Sequence, residues 1–143
     1  MLPSAAMLMP LLLAAAPAKD DVKTLAPDAA IALAETSKRA QTGRFEMTVR
    51  ATGRAGGATF LNSTPDYRSP DCLSFRLSSN VVKTLTRRYG EAPETYFRGK
   101  HVVVDGTLRR ELIVNKNYGR IESANRWQHT VRILFPHQLV AVG

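Results

Sequence analysis

Eight lysines and arginines crowd the stretch from Arg98 to Arg132: Arg98, Lys100, Arg109, Arg110, Lys116, Arg120, Arg126 and Arg132. Only Asp105, Glu111 and Glu122 oppose them, so eight cations meet three acids in about a quarter of the chain. Tyr118 and Trp127 lie among these cations. Basic grooves with aromatic platforms suit single-strand binding: the cations track the phosphates, and each stacked base is worth ~1–3 kcal/mol. The candidate ligand-binding residues are therefore Arg109, Arg110, Tyr118, Arg120, Arg126 and Trp127, extended by Tyr67, Arg68 and Arg76. The competing reading is that Trp127 anchors a long loop onto the body of the protein while the arginines form a solvated face.

Catalytic chemistry finds less to work with. His101, His129 and His137 are scattered, and none has the i, i+4 partner or nearby carboxylates of a metal site. There is no Gly-x-Ser-x-Gly segment, and Gly53-Arg-Ala-Gly-Gly57 lacks the Gly-Lys-Ser/Thr of a phosphate loop. The paired acids Asp20-Asp21 and Glu91 with Glu94 fall in expected tails or loops. Phosphodiester hydrolysis would need a converging acid or metal site that this pattern does not supply. The expectation is a protein that is not an enzyme and takes no cofactor or metal. Cys72 is the only cysteine, which excludes an intramolecular disulfide. It is expected as a small buried apolar residue, with a reactive thiol or an intermolecular bridge as the alternative.

The elements that must position these residues fit one domain at 143 residues. Residues 1–18 carry no charged side chain, hold the apolar run Met7 to Ala16, and end in Ala16-Pro-Ala18 before Lys19. The run falls short of the ~20 residues of a membrane span, and its small-residue ending fits a signal-peptidase site. The alternatives are a misassigned start or an apolar N-terminus. Residues 1–18 are thus expected as a signal peptide, 19–43 as an N-terminal helical segment and 44–143 as a barrel, placed in the periplasm or secreted. The formal charge of +8 then falls entirely on the remaining residues. It suits nucleic acid, an anionic surface or simple solubility.

Pro27 to Ala40 has helix-forming composition, with Pro and Asp first and Lys38-Arg39 last; the helix is expected to stop at Gly43. From Phe45 the period becomes two: Phe45, Met47, Val49 and Ala51 share one side of a strand. Gly53–Gly57 is expected as a turn, 58–63 as a second strand, 64–71 as an ordered loop and 72–77 as a third strand. Residues 80–89 fit a helix capped by Ser79 or Asn80 and ended by Gly90. Lys100 to Leu108 is a valine-rich strand whose Gly106 marks a bulge, a corner or a close backbone approach. Residues 109–129 are a hairpin extension or a long loop. A strand over 130–135, a turn at Pro136-His-Gln138 and a short strand over 139–142 complete the chain.

Three strands, a helix and two more strands is the order of a five-stranded OB-fold-like Greek-key barrel, here with an added N-terminal helix and a helix between strands three and four. Phe60-Leu-Asn62, Asp66-Tyr67, Leu73 to Leu77, Phe97 to Leu108 and Ile133 to Val142 together resemble a group of small exported bacterial OB-fold domains, related at the level of fold to nucleic-acid-binding OB domains. The likeness covers about residues 28–142; the insertion between Leu108 and Val131 departs from it. It implies a mainly β, monomeric, non-catalytic binding or accessory module without an integral membrane span. Its partner would be a polyanion, either single-stranded nucleic acid or an acidic glycan, held by the loop between the last two strands and the face of strands two and three. The alternative is a structural protein–protein interaction domain of the cell envelope.

Overall fold

The structure is a computed structural model describing residues 22–117 and 120–143, with side chains 114–125 outside that description. The expected signal peptide and Tyr118 therefore lie outside the described residues, as does the side chain of Arg120. The elements run β1 (Thr24–Leu25), α1 (Pro27–Ser37), β2 (Gln41–Thr48), β3 (Ala51–Ala55), β4 (Ala58–Asn62), β5 (Leu73–Leu77), α2 (Ser79–Tyr89), α3 (Pro93–Tyr96), β6 (His101–Asn117), β7 (Arg120–Ile133) and β8 (Leu139–Val142). Among the described residues no helix is long and apolar enough to cross a membrane.

The fold is mainly β, built on one mixed sheet of eight strands in the order β1-β2-β6-β7-β5-β4-β3, with β8 paired to β6. The expected five-stranded barrel differs from this pairing, which does not close: β3 ends the path on β4 and β1 ends it on β2. Two parallel ladders, β1 on β2 and β5 on β7, interrupt an otherwise antiparallel arrangement. Only Val49 and Arg50 separate β2 from β3. The Val49 N–H donates to the Lys100 carbonyl at 2.9 Å, whereas the Arg50 N–H donates to the Asn62 carbonyl at 2.9 Å.

Period-two burial explains the strands. Phe45, Met47 and Val49 of the β2 segment, Val102, Val104 and Leu108 of β6, and Leu73, Phe75 and Leu77 of β5 all turn inward and are buried. α2 closes this core with Val81, Val82 and Leu85. Its start is capped by the Ser78 hydroxyl, one residue earlier than expected, and Gly90 ends it at φ 72°. α1 begins with Pro27 and Asp28 and buries only Ala30 and Ala34. It stops at Lys38, whose φ of 56° is left-handed, rather than at Gly43, which lies inside β2.

Three further expectations shift. The turn after β3 is only Gly56-Gly57, both with positive φ (58° and 80°), while Gly53 belongs to the strand. A two-residue loop of that type matches the twist of its flanking strands. Residues 109–129 are the hairpin alternative, because β6 and β7 continue as a ladder out to Asn117↔Arg120. Gly106 is a close approach: a Cβ there would meet Val131 Cγ1 at 2.6 Å and the Arg132 carbonyl at 3.1 Å. Cys72 is buried as expected.

Candidate functional site

Phe60, Arg76 and Arg132 lie out of phase with the core residues Leu61, Phe75 and Val131, while Asn62, Ser74 and Thr130 on the same side are buried, and the register aligns the first three across the sheet. Gly53 pairs with Phe60, Phe60 with Arg76, and Arg76 with Arg132. One outward row therefore carries a glycine floor, an aromatic ring and two guanidinium groups on adjacent strands. The Arg76 guanidinium lies 6.0 Å from the Phe60 ring centroid. Arg132 is held by Glu111 at 3.0 Å.

Beside this row, the 64–71 loop brings Tyr67 over the hairpin. The Arg126 guanidinium lies 5.1 Å from the Tyr67 ring and donates from Nη1 to the Tyr67 carbonyl at 3.1 Å. An open groove of about 500 Å³ runs between β3, this loop and the hairpin root, with Phe60, Tyr67, Arg126, Ile113 and Gln128 in its walls. Gly53 and the small Ala51 and Ala55 keep its β3 side shallow.

Around the hairpin lies a second groove, lined by Arg68, Arg110, Arg126, Trp127 and the residues Glu35 and His129. Arg110 stacks on Trp127, 3.8 Å from guanidinium carbon to ring centroid, and such pairs prefer this arrangement because the ring face is electron-rich. Glu35 on α1 accepts from Arg110 Nε at 3.0 Å and meets His129 Nε2 at 2.7 Å. Those hydrogen bonds, the one to His129 first, hold the Glu35 carboxyl below its ordinary range. Among the described residues His129 Nδ1 is buried with no hydrogen-bond partner. Arg68 is taken up by Asp66 at 3.1 Å, and the hydrogen bonds from Arg68 lower the Asp66 pKa in turn.

A third groove, of about 410 Å³, lies where α1 ends: Lys38, Arg39, Arg109, Arg110, Glu111, Leu112 and Arg132 line it. Among the described residues Lys38, Arg39 and Arg109 make no ion pair.

Of the nine residues selected from sequence, Tyr67, Arg68, Arg110, Arg126 and Trp127 converge around the hairpin. Arg76 stands one sheet row away on Phe60, and Arg109, next to Arg110 along β6, lines only the third groove, which Arg110 also borders. Tyr118 and the side chain of Arg120 lie outside the described residues. Sequence reasoning missed Phe60, Glu35 and His129 as site residues. Phe60 was findable, since an aromatic out of phase with Leu61 in a strand must face outward. Glu35 follows Ile31 by one helical turn, and both line the second groove. His129 carried no local signal, because its partner is 94 residues away. No protein-family model matches this chain, and comparison with curated proteins finds no relative.

Proposed function

We propose that the protein is a non-catalytic, exported binding module that holds a single-stranded polyanion, with single-stranded nucleic acid favoured over an acidic glycan. The observation that carries this reading is the repeated pairing of an arginine with an outward aromatic: Arg76 on Phe60, Arg126 on Tyr67 and Arg110 on Trp127. Rings offer sequence-tolerant stacking to bases, and guanidinium groups supply the phosphate partners. A glycan would use the same cations without offering a π face to the three aromatic rings.

The wiring supports an OB-like barrel beneath this face. Taken as one bent strand, 41–55 would pair β6 through its first half and β4 through its second, with Val49 and Arg50 at the bend. β4, β5, β7 and β6 then follow in barrel order, with β5 and β7 parallel and α2 between the third and fourth strands. The groove along Phe60, Tyr67 and Arg126 corresponds to the face where such barrels take oligomeric ligands.

Anisotropy titrations of a labelled single-stranded oligonucleotide and an acidic glycan at two salt concentrations test this. Affinity should fall with a log–log salt slope of about −0.7 per phosphate neutralised. Phe60→Ala and Tyr67→Ala should each cost ~1–3 kcal/mol for DNA and little for the glycan. Absence of binding at low salt, or indifference to both ring deletions, overturns the reading.

One observation favours a second function, docking of an envelope protein. Leu112 and Trp127 pair across the hairpin with 43% and 41% of their surfaces exposed, an adjacent apolar couple on the outside of a basic protein.

A further inference from the structure

β6 is longer than the strand beside it. Pairing with β2 ends at Gln41↔Leu108, whereas β6 runs to Asn117. The main chain alternates between its two edges, and its phase is fixed by His101, which exchanges both bonds with Gly143 on the β8 side at 2.8 and 2.9 Å. The Asp105 carbonyl faces the same way, accepting from Gln138 Nε2 at 2.9 Å. Odd-numbered main-chain groups therefore face β8 and β7, and even-numbered ones face β2. The register shift against β8 at Val103/Val104 skips Val140 of β8 and leaves β6 continuous: its ladder with β2 is unbroken from His101 to Leu108, and the ladder with β7 first shifts after Ile113. Hence the N–H and C=O groups of Arg110 and Leu112 point to an edge that no strand occupies among the described residues. Lys38, Arg39 and Ala40, which lead from α1 into β2, flank that edge and share a groove with Arg109 to Leu112.

We infer that this edge of β6 is a docking site for an extended peptide with alternating acidic and apolar residues, added as a further strand. Unpaired main-chain donors and acceptors are a template for strand addition, and the pockets along an edge select alternate side chains. On one side of β6 such a strand meets Arg109 and Arg132, with Lys38 and Arg39 at the groove wall; on the other it meets the exposed Leu112–Trp127 pair. Lys38, Arg39 and Arg109 make no ion pair among the described residues, which gives acidic side chains three unsatisfied partners. The same charges disfavour a second copy of the chain, since edge-to-edge pairing would bring Arg109 and Arg110 of both copies into one ladder. This site is separate from the Phe60–Tyr67 groove and does not depend on nucleic-acid binding there.

The test uses the full chain and a blocked, fluorescently labelled (Glu-Val)4 peptide, compared with the same peptide N-methylated on alternate residues. The parent peptide should bind and the N-methylated one should not, because methylation removes the strand-pairing hydrogens while keeping every charge. Leu112→Pro removes the free-edge donor without touching a β6–β7 bond and should weaken binding about tenfold or more. Leu112→Thr retains that donor and should bind more tightly than Leu112→Pro. Equal binding of the two peptides overturns the proposal and leaves only charge attraction. So does a folded Leu112→Pro variant that binds within twofold of the parent. Sedimentation showing a dimer that Leu112→Pro converts to monomer would assign the edge to self-pairing instead, and also overturns it. Should Leu112→Pro not fold, the peptide comparison decides alone. DNA titrations of Phe60→Ala and Tyr67→Ala are read separately, so each site can fail without the other.

Discussion

Not every cation near the site is available to a ligand, and the difference lies in single contacts. Arg68 is held by Asp66 and Arg110 by Glu35, so an incoming anion must compete with a carboxylate at both. Arg76 and Arg109 make no ion pair among the described residues, and Arg126, though not in a salt bridge, lies within electrostatic reach of the Asp66 carboxylate. Glu35 has a second consequence, because it ties α1 to the hairpin through His129 and Arg110 together. Its carboxyl pKa is lowered from 4.5 in the folded protein, so the folded state binds that proton less readily than the unfolded chain. The tie therefore contributes stability above pH 4.5, which is lost as pH falls through the lower folded value. Glu35→Gln should melt at a lower temperature than the parent at pH 7, and the two melting curves should converge on acidification below that range. A gap in melting temperature that stays constant across the titration would show that the carboxylate charge is not what holds the helix.

At the scale of elements, Gly106 shows how one position sets the approach of three segments. It lies opposite Gly43 in β2, its missing Cβ leaves room for Val131 of β7, and the Gln138 amide sits 3.5 Å from where that Cβ would be. The same Gln138 accepts from the Leu134 and Phe135 N–H groups at 2.7 and 2.9 Å, locking the turn into β8. Gly106→Ala should destabilise the fold by about 1–3 kcal/mol, as overpacking does, measured as a lower urea midpoint with an unchanged slope; a neutral result would mean that β7 moves aside freely. That glycine was legible from its place in a valine run as a bulge, a corner or a close approach, of which the third is found, and the helix α2 from its apolar spacing and terminal glycine. The hairpin's strand character was legible only as one of two alternatives, since Arg109 to Trp127 mixes charge and apolar residues without a clean period. The break of the first strand into β2 and β3 was not legible. It depends on Val49 bonding to Lys100 and Arg50 to Asn62, partners far along the chain that no local pattern encodes. Likewise the arginine–aromatic couples were half visible: residue types and clustering pointed to Arg126 and Trp127, but only the register put Phe60 beside Arg76.

For the molecule as a whole, the open pairing path and the proposed barrel-like wiring differ in what happens at residues 49 and 50. If β3 and β4 form a flap joined to the rest through β5 alone, the hairpin can open by releasing one short ladder. If 41–55 acts as a single bent strand, the same opening must also strain Val49 against Lys100 and Gly99, whose bonds are 2.9 and 2.8 Å, and expose Leu61 and Phe75, both fully buried. Local openings cost little where few buried contacts break and approach the global unfolding free energy where the core opens with them. Native-state hydrogen exchange followed across low denaturant concentrations separates the two cases. The Val49 and Arg50 amides should exchange with the same free energy and denaturant slope as core amides of β6 such as Val104, because the bend joins both halves of the sheet. Exchange of Arg50 through a shallow, denaturant-independent opening while Val104 stays protected would mean that β3 and β4 move as a separate unit, and the groove lined by Phe60 and Tyr67 would lose the rigid floor that stacking requires.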